Sequence, residues 1–153
     1  MPRREALLVL CASVTSALLP STQVKSEQYL PAGAAQFSRV LAAQKQWGSL
    51  KPVLQSGRTL DDSEWENLRT ILRAIYQVSS DMEYIAKPWA ADLKSSATQD
   101  IQKLRRTLKD MDQPAKQRQL EEFSNKYQEV QDLFESFFKT FSQASVGDVP
   151  DEL

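Results

Sequence analysis

The sequence predicts an all-α fold: an up-down-up-down four-helix bundle preceded by an irregular N-terminal arm. Apolar residues recur at three- and four-residue steps in four stretches, the spacing that lines one face of a helix. Glycine, which tight turns between strands need, is scarce at 4 residues in 153. No alternating strand pattern competes with these stripes. Four amphipathic helices on short connections cannot each bury a face alone, and an antiparallel bundle is the common solution. The expected organisation is a targeting segment over 1–17, an extended arm over 18–35, the bundle over 36–143 and a flexible tail over 144–153.

The first stripe is Phe37, Val40, Ala43, Trp47, Leu50 and Leu54. Pro52 is expected to kink this helix or end its regular part near Lys51, and Gly57 to close it. The second helix starts at a capping box, either Asp61 with Glu64 or Ser63 with Glu66. Its core face is Trp65, Leu68, Ile71, Leu72, Ile75, Val78, Met82 and Ile85, leaving Glu66, Arg69, Arg73 and Asp81 outside, and Pro88 stops it. Trp89, Leu93, Ala97, Ile101, Leu104, Leu108 and Met111 form the third stripe, and Pro114 is expected to force the turn into the fourth helix. There Leu120, Phe123, Tyr127, Val130, Phe134, Phe137 and Phe141 keep coiled-coil-like spacing, which is lost beyond Gln143.

Arg3 and Arg4 precede the apolar run Ala6–Ala12 and the small residues 13–17, in the order of a signal peptide with a twin-arginine flavour. A retained N-terminal helix is the alternative. Cys11 sits in a poor context for lipidation, because Leu10 occupies the place of a small residue. The terminal Asp151-Glu152-Leu153 approaches an ER-retention signal but has Pro150 in the place of its basic residue.

The chemistry open to this chain is narrow. It contains no His, which excludes imidazole catalysis and His-ligated metal sites, and its single Cys has no partner for an intrachain disulfide. Carboxylate pairs such as Asp61-Asp62, Glu121-Glu122 and Asp110 with Asp112 read as solvated charges at helix ends and on polar faces. There is no phosphate loop and no nucleophile elbow. Lys plus Arg number 19 against 20 Asp plus Glu, so no basic field invites nucleic acid. The expectation is a protein that is not an enzyme, with no catalytic, cofactor or metal site and no small-molecule substrate. Two features are candidates for partner docking: the basic residues Lys103, Arg105, Arg106 and Lys109, and the apolar arm residues Tyr29, Leu30 and Pro31, which have no helical stripe to join.

The stretch Leu50-Lys51-Pro52-Val53-Leu54 followed by Trp65-Glu66-Asn67-Leu68-Arg69 resembles the Lys-Pro-Leu-Ile and Trp-x-x-Val/Leu-x-x-x-Leu-Arg segments of the PsbQ family. Those proteins are extrinsic, lumenal subunits of the photosystem II oxygen-evolving complex. The similarity continues through Met82-Glu83-Tyr84-Ile85-Ala86 and the helix from Gln119 to Thr140, and covers Phe37 to Phe141. The longer linker Gln55–Asp62 and the arm Gln23–Ala35 depart from plant members, so an algal, plastid-type relative fits best. The resemblance implies a subunit of the chloroplast thylakoid lumen, peripheral to the membrane, that docks on the photosystem II core beside other extrinsic subunits. There it would help retain the calcium and chloride of the water-oxidising cluster. Related bundles imply a second placement, on photosystem I or a plastid NDH-like complex. An ER-resident or secreted helical binding module is the reading from another class.

Overall fold

The computed structural model describes residues 32–146. These form five helices: α1 (Ala34–Gly48), α2 (Lys51–Gln55), α3 (Asp62–Ala86), α4 (Ala91–Gln117) and α5 (Leu120–Val146). The four long ones pack against each other as an all-α bundle in chain order, with α5 returning beside α1. Arg39 pairs with Asp81, Arg69 lies near Asp112, Lys103 near Glu129, and Phe37 stacks on Phe141 while Trp47 stacks on Tyr127. In each pair one helix runs up as the other runs down, which defines the up-down-up-down topology.

The first stripe is two helices, not one kinked helix. Pro52 has no N–H to offer the Gly48 carbonyl, and its ring would collide with it, so the ladder gives way a turn before the proline. The break falls at Ser49 and Leu50: their N–H groups turn back to Lys45 and Trp47, and Pro52 occupies the first turn of α2, where its missing donor costs nothing. Gly57, at φ 69°, ends this stretch as expected. The start also differs, because Ala34 and Ala35 belong to α1, capped by Gly33 at φ 93°.

At α3 the structure selects one of the two capping boxes. The Glu64 N–H donates to Asp61 Oδ1 at 2.8 Å, and the Asp61 N–H donates to Glu64 Oε2 at 2.9 Å. Arg58 clasps the same carboxylate through both terminal nitrogens, and chiefly this contact, with the Asp61 N–H, holds the Glu64 carboxyl down to about 2. Helix α3 ends at Ala86, before Pro88, and Trp89 stands in the connection rather than on the following helix.

Pro114 does not make the turn into α5. It is buried inside the last turn of α4, where it sacrifices one hydrogen bond, to the Asp110 carbonyl, and the helix runs on to Gln117. The reversal occurs at Arg118, at φ 58°. The Gln119 N–H reaches the Pro114 carbonyl at 2.9 Å and the Arg118 N–H the Ala115 carbonyl at 3.4 Å, the two bonds of a Schellman motif. Arg118 occupies a position that favours glycine, and its guanidinium binds Asp62 at 2.8 Å, tying the exit of α4 to the entry of α3.

The core runs the length of the bundle, with Trp47, Phe123, Phe134, Phe137, Met82 and Met111 among its fully buried side chains. Apart from Leu93, which is half-buried and outside the core cluster, the predicted stripes face it, with Phe37, Val78, Trp89, Leu120 and Phe141 half-buried at its margins. The helix α5 itself runs three residues past Gln143, to Val146, into the stretch expected to be a flexible tail.

Candidate docking surfaces

The four basic residues singled out on the third stripe do not form one face. Arg105 is a clamp: its Nε donates to the buried Ser79 hydroxyl at 2.7 Å and a terminal nitrogen reaches Glu83 at 2.6 Å, fastening α4 to α3. Lys103 turns the other way, toward Glu129 of α5 at 3.4 Å. Lys109 lies 5.5 Å from the centre of the Tyr76 ring, on the α3 side. Arg106 is exposed between these two directions. A 100° advance per residue scatters positions 103, 105, 106 and 109 over nearly half the helix circumference, and α3 and α5 then draw their ends apart. The other docking candidates, Tyr29, Leu30 and Pro31, and the targeting pair Arg3 and Arg4, lie outside the described residues.

A different set of cations does converge. Antiparallel pairing of α3 and α4 brings Arg69 and Arg73 opposite Lys109 and Lys116, along a cleft of about 490 Å³. Leu72 and Leu108, both buried, lie at its base, and Tyr76 lies under Lys109. Asp112 stands among these cations. Lys116 binds it at 2.8 Å and Arg69 approaches to 3.6 Å, and the Lys116 hydrogen bond foremost pulls the Asp112 carboxyl below its ordinary range. Glu66 at the rim meets Arg69 at 3.2 Å and Arg73 at 3.9 Å. Reading one helix at a time leaves Arg69 and Arg73 as solvated charges, since only the register between α3 and α4 shows that they face Lys109 and Lys116.

The second surface is apolar. Where α1 begins, α3 ends and α5 ends, a groove of about 690 Å³ is lined by Phe37, Tyr84, Ile85, Pro88, Trp89 and Phe141, among others. Tyr84 is 49% exposed, the large hydrophobic side chain most open to solvent among the described residues.

The buried polar side chains, Ser79, Thr107 and Thr140, are scattered, and Ser79 and Thr140 spend their hydroxyls on carbonyls of their own helices. Among the described residues no three Cys, Asp or Glu side chains are grouped to hold a metal ion, and no helix is long and apolar enough to cross a membrane. No family model, curated protein or solved structure matches the chain.

Proposed function

We propose that this protein is a non-catalytic extrinsic subunit that docks on the lumenal face of photosystem II and stabilises the oxygen-evolving complex, including its calcium and chloride. The observation that carries the docking part of this reading is the division of the bundle. Its interior is packed with apolar side chains, and a basic and an apolar cleft open on the outside. Such a body acts by what it touches. The photosynthetic partner rests on the resemblance of residues 50–54 and 65–69 to the PsbQ family; a first stripe interrupted just before Pro52 and a Trp65 near the start of α3 support it.

The test is rebinding. Full-length protein is added to salt-washed photosystem II membranes, and oxygen evolution at low calcium and chloride is measured with the bound amount. Rebinding at low salt, release at high salt and restored ion retention are the expected results. Co-purification with photosystem I or an NDH-like complex instead would overturn the placement. A chain lacking residues 23–31 addresses the arm separately: the expectation is unchanged helix content and lost rebinding, and normal rebinding would remove the arm from the docking surface.

A further inference from the structure

We infer that the cleft between α3 and α4 is a binding site for a short acidic peptide segment of a partner protein, one that carries an aromatic or aliphatic side chain between its carboxylates. This deepens the docking reading by naming the chemistry of the contact. Four cations, Arg69, Arg73, Lys109 and Lys116, line the two walls, against Asp112 within the cleft and Glu66 at its rim. That leaves a local positive excess on a chain whose net charge is −1. The excess is available for binding. Lys109 has no carboxylate within 4 Å among the described residues and rests over Tyr76, and Arg73 holds Glu66 only at 3.9 Å. Arg69 is divided between Glu66 and Asp112, and its enclosed Nε completes no hydrogen bond.

The shape favours a peptide over a bilayer. The cations flank a concave strip with Leu72, Leu108 and Tyr76 along it, so a narrow chain can place carboxylates on both walls and an apolar side chain on the base. A flat membrane surface reaches only the rims. Membrane attachment also gains from an apolar wedge beside the cations, and exposed Tyr84 stands roughly 12 Å away along α3, at 1.5 Å per residue from Tyr76. From Arg69 to Gln77 the wall is about 12 Å long on the same scale, the span of roughly four extended residues. Guanidinium groups select carboxylates through paired hydrogen bonds, which suits Arg69 and Arg73 to Asp or Glu side chains.

The experiment uses the full chain and a fluorescein-labelled peptide, Asp-Glu-Phe-Glu-Asp, followed by fluorescence anisotropy at about 50 mM and about 500 mM salt. Saturable binding at low salt is expected, weakened at least about tenfold at high salt and at least about tenfold in the double variant Arg73→Gln, Lys109→Gln. The control Lys94→Gln, at the far end of α4, should bind as the parent does, and circular dichroism checks that each variant is folded. No saturable binding, or equal binding by the double variant, overturns the site. So does inorganic phosphate displacing the peptide at a tenth of the sodium chloride concentration needed, which would make this an oxyanion site. Co-sedimentation with phosphatidylglycerol vesicles in place of peptide binding would assign the face to a membrane. Because the peptide titration contains no photosystem, it can succeed where membrane rebinding fails, which keeps the two readings separable.

Discussion

Both ends of the bundle are built from aromatic rings, yet one is sealed and the other is open. At the sealed end Trp47 stacks on Tyr127 at 5.1 Å, Trp65 meets Phe123 edge-on at 6.2 Å, and all four residues are buried. At the open end Phe37 stacks on Phe141 at 4.6 Å and Trp89 lies 5.5 Å from Phe137, but Phe37, Trp89 and Phe141 remain half-exposed around a groove. The rings are alike, so the difference lies in what the backbone supplies. The interruption before Pro52 leaves the Trp47 carbonyl with the Leu50 N–H, at 3.1 Å, as its backbone donor and with a second lone pair to offer. The Tyr127 hydroxyl donates to the Trp47 carbonyl at 3.0 Å, while Trp47 Nε1 donates to the Tyr127 carbonyl at 3.2 Å. Leu54 from α2 and Leu60 from the linker are buried here too, beside Tyr127 and Trp65, with which they line two smaller surface clefts. A large polar-tipped ring is buried at little cost only when its N–H or O–H finds a partner.

The largest contrast should come from truncating equivalent rings. Phe123→Ala, at the sealed end, should lose about 3 to 5 kcal/mol by leaving a cavity, while Phe141→Ala, partly solvated already, should lose about half as much. Urea unfolding followed by circular dichroism measures both, and equal losses would mean that the ends do not differ energetically. Phe134→Ala, midway along α5 and fully buried, should fall with Phe123.

Tyr127→Phe should cost about 1 kcal/mol, because the Trp47 carbonyl keeps its bond from the Leu50 N–H and loses only the hydroxyl. Burial raises the Tyr127 pKa above 10, so the neutral form is the one the fold favours. Its contribution is complete below pH 10 and is lost as the pH climbs through the raised value. A Tyr127→Phe protein should therefore show a shallower alkaline loss of melting temperature than the parent, and identical alkaline profiles would count against the buried hydroxyl.

Asp61→Ala should cost about 1 kcal/mol by removing the cap that starts α3 beside the sealed end. The acid side works in the opposite sense. Since the Glu64 pKa is lowered in the folded protein, its contribution is present above the ordinary value near 4.5 and disappears as the pH falls toward about 2. Melting of Glu64→Gln between pH 5 and 2 should fall less steeply than that of the parent. The smallest effect belongs to the charged surface between the ends: Arg106→Gln should change stability by less than about 0.5 kcal/mol, whereas Arg105→Gln, which loses the bond to buried Ser79 and the pair with Glu83, should cost more.

Periodicity made the four long helices and nearly every core residue legible, because each stripe must face inward whatever its neighbour is. Local rules were enough for Gly57 and for the existence of a capping box at α3. What they could not resolve was how backbone rules compete with packing. Pro52 acts on Gly48, four residues upstream, so the break precedes it, and Pro114 is tolerated because burial and the Schellman bonds from Arg118 and Gln119 outweigh one missing donor. The basic cleft was the least legible feature. Arg69 and Lys109 are 40 positions apart, and only the pairing of two helices makes them neighbours.

The order of helices around the bundle carries a kinetic consequence. Helices α3, α4 and α5 pack mainly as sequential neighbours, α3 on α4 and α4 on α5, through connections of a few residues, so their contacts form without closing long loops. Helix α1 is different: it lies firmly on α3 but meets α5 only along a narrow seam, and that seam joins residues some 80 positions apart. It should be the last helix to dock during folding and the first to detach under native conditions. Amide hydrogens of Val40 to Trp47 would then exchange with solvent ahead of those of Leu104 to Met111, and the nucleus of folding would be the three-helix unit that α1 completes.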